Sequence, residues 1–122
     1  MQFDFAQLER STSVQLLAAP GELGRQAALA PIPKECRSTK ARMGGTTFTS
    51  QVVTDEPIDL ADGGRIRRTD EVSGGMNLRS WEVTFVGPGY LAMCDVFGTH
   101  VTRADAERLA RQEYSKAKTT LR

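Results

Sequence analysis

Apolar and polar positions alternate most cleanly over Ser80–Val86, with Trp81, Val83 and Phe85 on one side and Glu82 and Thr84 on the other. Successive side chains of a strand point to opposite faces, so this stretch predicts a strand whose first set faces a core. Residues 90–97 read YLAMCDVF. Tyr90, Ala92, Cys94 and Val96 share one face, while Leu91, Met93 and Phe97 share the other with Asp95, the pattern of a central strand covered on both sides. Residues 46–53, 56–61, 65–72 and 77–86 are also rich in β-branched and aromatic side chains. Between these runs stand Gly44-Gly45, Gly63-Gly64, Gly74-Gly75 and Gly87-Pro88-Gly89, residues suited to tight turns. Asp62-Gly63 is the best hairpin dipeptide among them. The pattern predicts an antiparallel meander of four or five strands over 44–98.

After residue 100 the period changes to 3.6. Ala106, Ala110, Tyr114, Ala117 and Leu121, with Leu109 beside them, recur at steps of three and four, which predicts a helix from 103 to 118 with an apolar stripe against the sheet. Thr102 suits its N-cap, and Asp105 can complete a capping box. The first 43 residues carry weaker signals. FDFAQLER, SVQLLAA and ELGRQAALA each fit a turn or two of helix, and prolines and glycines prevent any long run. KECRSTKAR (34–42) has no apolar period and reads as a mobile basic connector. The expected fold is therefore one α+β domain over 1–122: short N-terminal helices and loop, a meander sheet and a C-terminal helix.

Composition narrows the class. A hydrophobic share of 39%, a charged share of 25% and a formal charge of +1 describe an ordinary globular chain without the strong positive field of sequence-independent nucleic-acid binding. Residues 1–60 carry six basic and seven acidic side chains and 61–122 carry ten and eight, so any basic surface belongs to the second half. Cys36 and Cys94 are isolated and read as free thiols in a reducing compartment. The N-terminal stretch lacks the basic and apolar regions of an export signal, and no run approaches a membrane span. A cytoplasmic location in a host cell is the expectation.

The candidate chemistry is sparse. His100 is the only histidine, placed beside the helix start, and reads as a loop residue. Asp55-Glu56 and Asp70-Glu71 are adjacent carboxylates that diverge on a strand, and one histidine with two distant cysteines does not make a zinc site. No catalytic set, metal or cofactor is expected. Two basic groups are the candidate partner contacts: Arg65, Arg67 and Arg68 on a hairpin, and Arg108, Arg111, Lys118 and Arg122 along one helix stripe. From Trp81 to Tyr114 the order strand, turn, strand, Gly-Thr-His and alanine-rich helix resembles the last hairpin and helix of double-stranded-RNA-binding domains and of the arm-binding domains of tyrosine recombinases. The stretch His100-Val101-Thr102-Arg103 lacks the lysine cluster with which the first family contacts phosphates, so the resemblance implies topology without function.

Two functional expectations follow. One is a non-enzymatic protein-interaction or inhibitor module, of the anti-defence, anti-CRISPR-like type that phages and plasmids encode, occupying the surface of a protein or nucleoprotein partner. The other is a nucleic-acid-binding accessory domain that uses the basic hairpin and helix stripe. An unpaired strand edge would also permit a homodimer.

Overall fold

The computed structural model describes residues 11–18 and 20–120. FDFAQLER, Leu121 and Arg122, for which expectations were drawn above, lie outside the described residues. The described chain is α+β. Six strands, β1 (Ser11–Ala18), β2 (Ser38–Met43), β3 (Thr46–Ile58), β4 (Gly64–Ser73), β5 (Met76–Gly87) and β6 (Tyr90–Gly98), form one antiparallel sheet in the order β1-β6-β5-β4-β3-β2. Helix α1 (Gly21–Leu29) follows β1, a 3-10 turn covers Lys34–Cys36, and helix α2 (Arg103–Thr120) is the last described element.

The meander is as expected, but the count of four or five strands is too low, and the described part of the first third holds two strands besides a short helix and loop. Residues 13–18 of SVQLLAA lie in β1, because pairing with β6 from Ser11↔Phe97 to Ala18↔Tyr90 overrides the helical preference of Leu16, Leu17 and Ala18. KECRSTKAR is a 3-10 turn leading into β2, which pairs with β3 from Ser38↔Gln51 to Met43↔Thr46. Residues 46–53 and 56–61 are not two strands. Residues 46–58 form the single β3, whose register shifts between Val52 and Thr54 and then holds to Ile58, and 59–61 lie in the loop after it. ELGRQAALA does form α1.

Gly44-Gly45 and Gly74-Gly75 join their hairpins with both φ angles positive, at +57° and +82° and at +56° and +81°, a backbone that twists with the flanking strands. Asp62-Gly63 instead sits in a wider loop between β3 and β4, where the Gly63 N–H donates to the Leu60 carbonyl at 3.0 Å.

One sheet face carries the core. Ile66, Val83, Phe85, Cys94 and Val96 are fully enclosed there, joined by Trp81, Tyr90 and Ala92, and α2 lies over them. Its contact residues Ala106 and Ala110 are wholly buried, since only a methyl group fits between helix backbone and sheet. The Phe85 ring packs edge-to-face with Tyr90 and Tyr114 at centroid distances of 6.2 and 5.9 Å. Thr102 caps α2 as expected. Its Oγ1 accepts from the Asp105 N–H at 3.3 Å, and its own N–H donates to the Asp105 carboxylate at 3.0 Å.

The opposite face carries a different cover. β1 and β2 occupy the two edges of the sheet, so the chain between them crosses that face as α1 and a strap of residues 30–37. No residue of α1 is buried. Polar clamps from the sheet hold the crossing in place.

Candidate interaction surface

Asp55 and Glu56 are neighbours on β3 and point to opposite faces, and each ties down the cover on its own side. On the core face Glu56 accepts from Arg103, the first residue of α2, and Arg103 also reaches Glu107 at 3.0 Å. On the other face the Asp55 side chain is 0% exposed. It accepts from the Ile32 N–H at 2.6 Å, from Arg65 Nε at 2.5 Å and from Arg67 Nε at 3.2 Å. Burial pushes its carboxyl upward, but the Ile32 hydrogen bond, the Arg65 hydrogen bond and the charges of both arginines outweigh that and hold it below the ordinary carboxylate range.

The same arginines continue into the strap. Arg65 Nη1 donates to the Leu29 carbonyl at 3.3 Å and Arg67 Nη2 to the Ala30 carbonyl at 2.6 Å, while Arg25 of α1 donates to the Gly87 carbonyl at 2.8 Å. Two of the expected contact residues thus fasten the N-terminal crossing to the sheet.

Arg68, one residue on, turns to the core face. It grips Asp70 with Nε at 3.0 Å and Nη2 at 2.7 Å, and Arg79 approaches the same carboxylate at 3.4 Å. Arg108 and Arg111 are exposed on the outer side of α2, with Arg108 3.7 Å from Asp105, and the Lys118 ammonium lies 5.3 Å from the centre of the Tyr114 ring. Arg65 and Arg67 therefore face away from α2 while Arg68 shares its face, so the hairpin group is split between the two sides of the sheet.

Across β5 and β6 the register sets Glu82 opposite Asp95, a facing pair of carboxylates that no spacing along the chain announces. Ser80 donates to Asp95 at 2.7 Å, and Arg67 stands 3.8 Å from Glu82. Burial raises the Glu82 carboxyl, Arg67 opposes, and Asp95 adds to the rise. Cys94 lies on the other face, fully buried, with its thiol pushed up to about 12 by burial and secondarily by Glu113. Cys36 is exposed, and both cysteines are free. His100 is exposed in the bend before Thr102. Among the described residues no three His, Cys, Asp or Glu side chains converge as metal ligands.

Among the described residues two surfaces remain uncovered. The first is an arm made of β2, the first half of β3, the second half of β4 and the first half of β5. No residue of this arm, over 38–52 and 69–80, is buried. One face of this arm presents Lys40 and Arg42 together with Val72, Asn77 and Arg79. The other presents Ala41, Met43, Phe48, Glu71 and Leu78 and no basic residue. Met43 is 69% exposed, and Phe48 and Val72 are also open. The second surface is the β1 edge, whose eight residues are all exposed.

A scan against protein-family models finds no match, and no curated protein matches. Among solved structures, the Mll3558 protein from Rhizobium loti is similar over 89% of this chain and 94% of its own, at 11% identity and a TM-score of 0.39, a likeness too slight to carry an argument. No helix among the described residues is long and apolar enough to cross a membrane.

Proposed function

We propose that this chain is a non-enzymatic protein-interaction module that acts by occupying a partner's surface, the mode of small inhibitors that phages and plasmids encode. The observation that carries the reading is the bare arm: a four-stranded extension with no buried residue and with Met43, Phe48 and Val72 open to solvent. Exposed apolar side chains on a regular scaffold favour a partner that removes them from water. The partner class is a protein, because one face of the arm has no basic residue and the arginines of the nucleic-acid reading are divided between the two faces of the sheet. Arg68, Arg108, Arg111 and Lys118 are then rim contacts at most, which tune association rate and salt dependence.

Affinity capture from host lysate tests this with paired variants. The wild-type chain should retain a stoichiometric protein. Phe48→Asp with Met43→Asp should lose it, whereas Arg108→Glu with Arg111→Glu should keep it within about threefold. Retention of nucleic acid alone, released between 50 and 200 mM salt as expected for phosphate contacts (roughly 10³-fold weaker binding), would replace this reading with the accessory nucleic-acid domain.

A further inference from the structure

At the edge of the arm, the hairpin of β2 with β3 closes through Gly44-Gly45 on the pair Met43↔Thr46, and at its far end the Arg37 carbonyl accepts from the Val52 N–H at 2.7 Å. Backbone bonding alternates along an antiparallel ladder, so Thr39, Ala41 and Met43 turn their N–H and C=O groups to β3, while Ser38, Lys40 and Arg42 turn theirs outward. Among the described residues no strand lies on that outer side.

The residues that offer the backbone groups also carry the charge. Lys40 and Arg42 stand on the sheet face that bears α2, beside Thr47, Thr49 and Gln51, and neither makes an ion pair among the described residues. Asp70, two strands in, is already gripped by Arg68. On the reverse face Ala41 is too small to shield Phe48, the residue opposite it on β3. Phe48 stays 40% exposed and borders a depression of about 240 Å³, lined also by Thr39, Ala41, Ser50 and Glu71.

Building on the reading of the arm as a protein-binding surface, we infer that the β2 edge takes up an extended segment of the partner as an added antiparallel strand, one that alternates acidic with apolar side chains. The residues hydrogen-bonded to Lys40 and Arg42 in such a strand lie directly opposite them, with side chains on the same face, so an acidic residue at each makes a cross-strand ion pair. The residue between them lies opposite Ala41 and points to the other face, where an apolar side chain covers Phe48. Main-chain bonds supply the affinity and the alternating side chains the selectivity.

Other occupants match the edge less well. A second copy offers β1, which has no acidic residue, or β2, which sets positive charge against positive charge. A nucleic-acid backbone has no peptide N–H for the Lys40 and Arg42 carbonyls.

The probe is a fluorescein-labelled peptide of alternating glutamate and valine, compared with one of lysine and valine and with a short DNA duplex. In anisotropy titrations the glutamate peptide should bind the full chain at least about tenfold more tightly than the lysine peptide. Lys40→Glu with Arg42→Glu, both at exposed positions, should keep the melting temperature and reverse that order. Methylating the glutamate nitrogens removes the donors to the Lys40 and Arg42 carbonyls and should weaken binding at least about tenfold, a loss that charge attraction alone does not produce. Equal binding of the two peptides, an unchanged order in the double variant, full binding of the methylated peptide, or tighter binding of the duplex would each overturn the proposal. If the peptide fails while lysate capture still depends on Phe48 and Met43, the β2 edge is removed and the arm stands; loss of that capture removes the arm itself.

Discussion

Asp55 is the residue on which most of the polar architecture converges. Asp55→Ala leaves Arg65 and Arg67 without their shared anion and the Ile32 N–H without an acceptor. The loss should be about 3–5 kcal/mol in denaturant unfolding, against well under half of that for exposed Asp59→Ala. Asp55 and Glu82 also shape the pH profile with opposite signs. The Glu82 carboxyl is raised in the folded chain, so it takes up its proton there before the unfolded chain does, and stability climbs as pH falls from neutrality toward about 4.5. The Asp55 and Asp70 carboxyls are lowered, so below about pH 4 the unfolded chain binds the protons first and stability falls. Thermal melts from pH 8 to 3 should pass through a mildly acidic maximum. Glu82→Gln should abolish the acid-side rise and keep the final fall. At this scale the sequence was legible for Trp81, Val83, Phe85 and Thr102, whose roles follow from alternation and local capping. It was not legible for Arg65 and Arg67, because their acceptor and the carbonyls they hold lie ten or more positions away along the chain.

The elements divide in the same manner. β5, β6 and α2 announce themselves because each has one face in the core and so a clear period. β1 and β2 are edge strands exposed on both sides, and exposure erases the period. For β2 the signal lay in Gly44-Gly45, since a two-residue turn requires a strand on each side. β1 offered none, its strand state being imposed by β6 from the far end of the chain. α2 sits on the sheet through Ala106 and Ala110, both enclosed. Ala110→Leu should therefore lift the helix and cost about 1–3 kcal/mol, while Gln112→Leu on its exposed side should change stability by less than about 0.5 kcal/mol. Denaturant titrations of the two variants make the comparison.

Over the whole molecule, fold class and meander were readable and the candidate surface was not. Its definition depends on where the helices stop covering the sheet, a property of the assembled layers that no window of sequence contains. The placement of β1 beside β6 has one more consequence, for the way the chain is made. Every other strand finds a neighbour a hairpin away, but Ser11 must wait for Phe97. During synthesis from the N-terminus the first strand emerges long before its template, and contacts of such long sequence separation form late. β2 to β6 can fold outward from their turns while the strap stays loose, and the N-terminal strand docks last. Pulse-labelled hydrogen exchange during refolding should show amides of residues 12–17 gaining protection after those of 81–96, and the reverse order would contradict it.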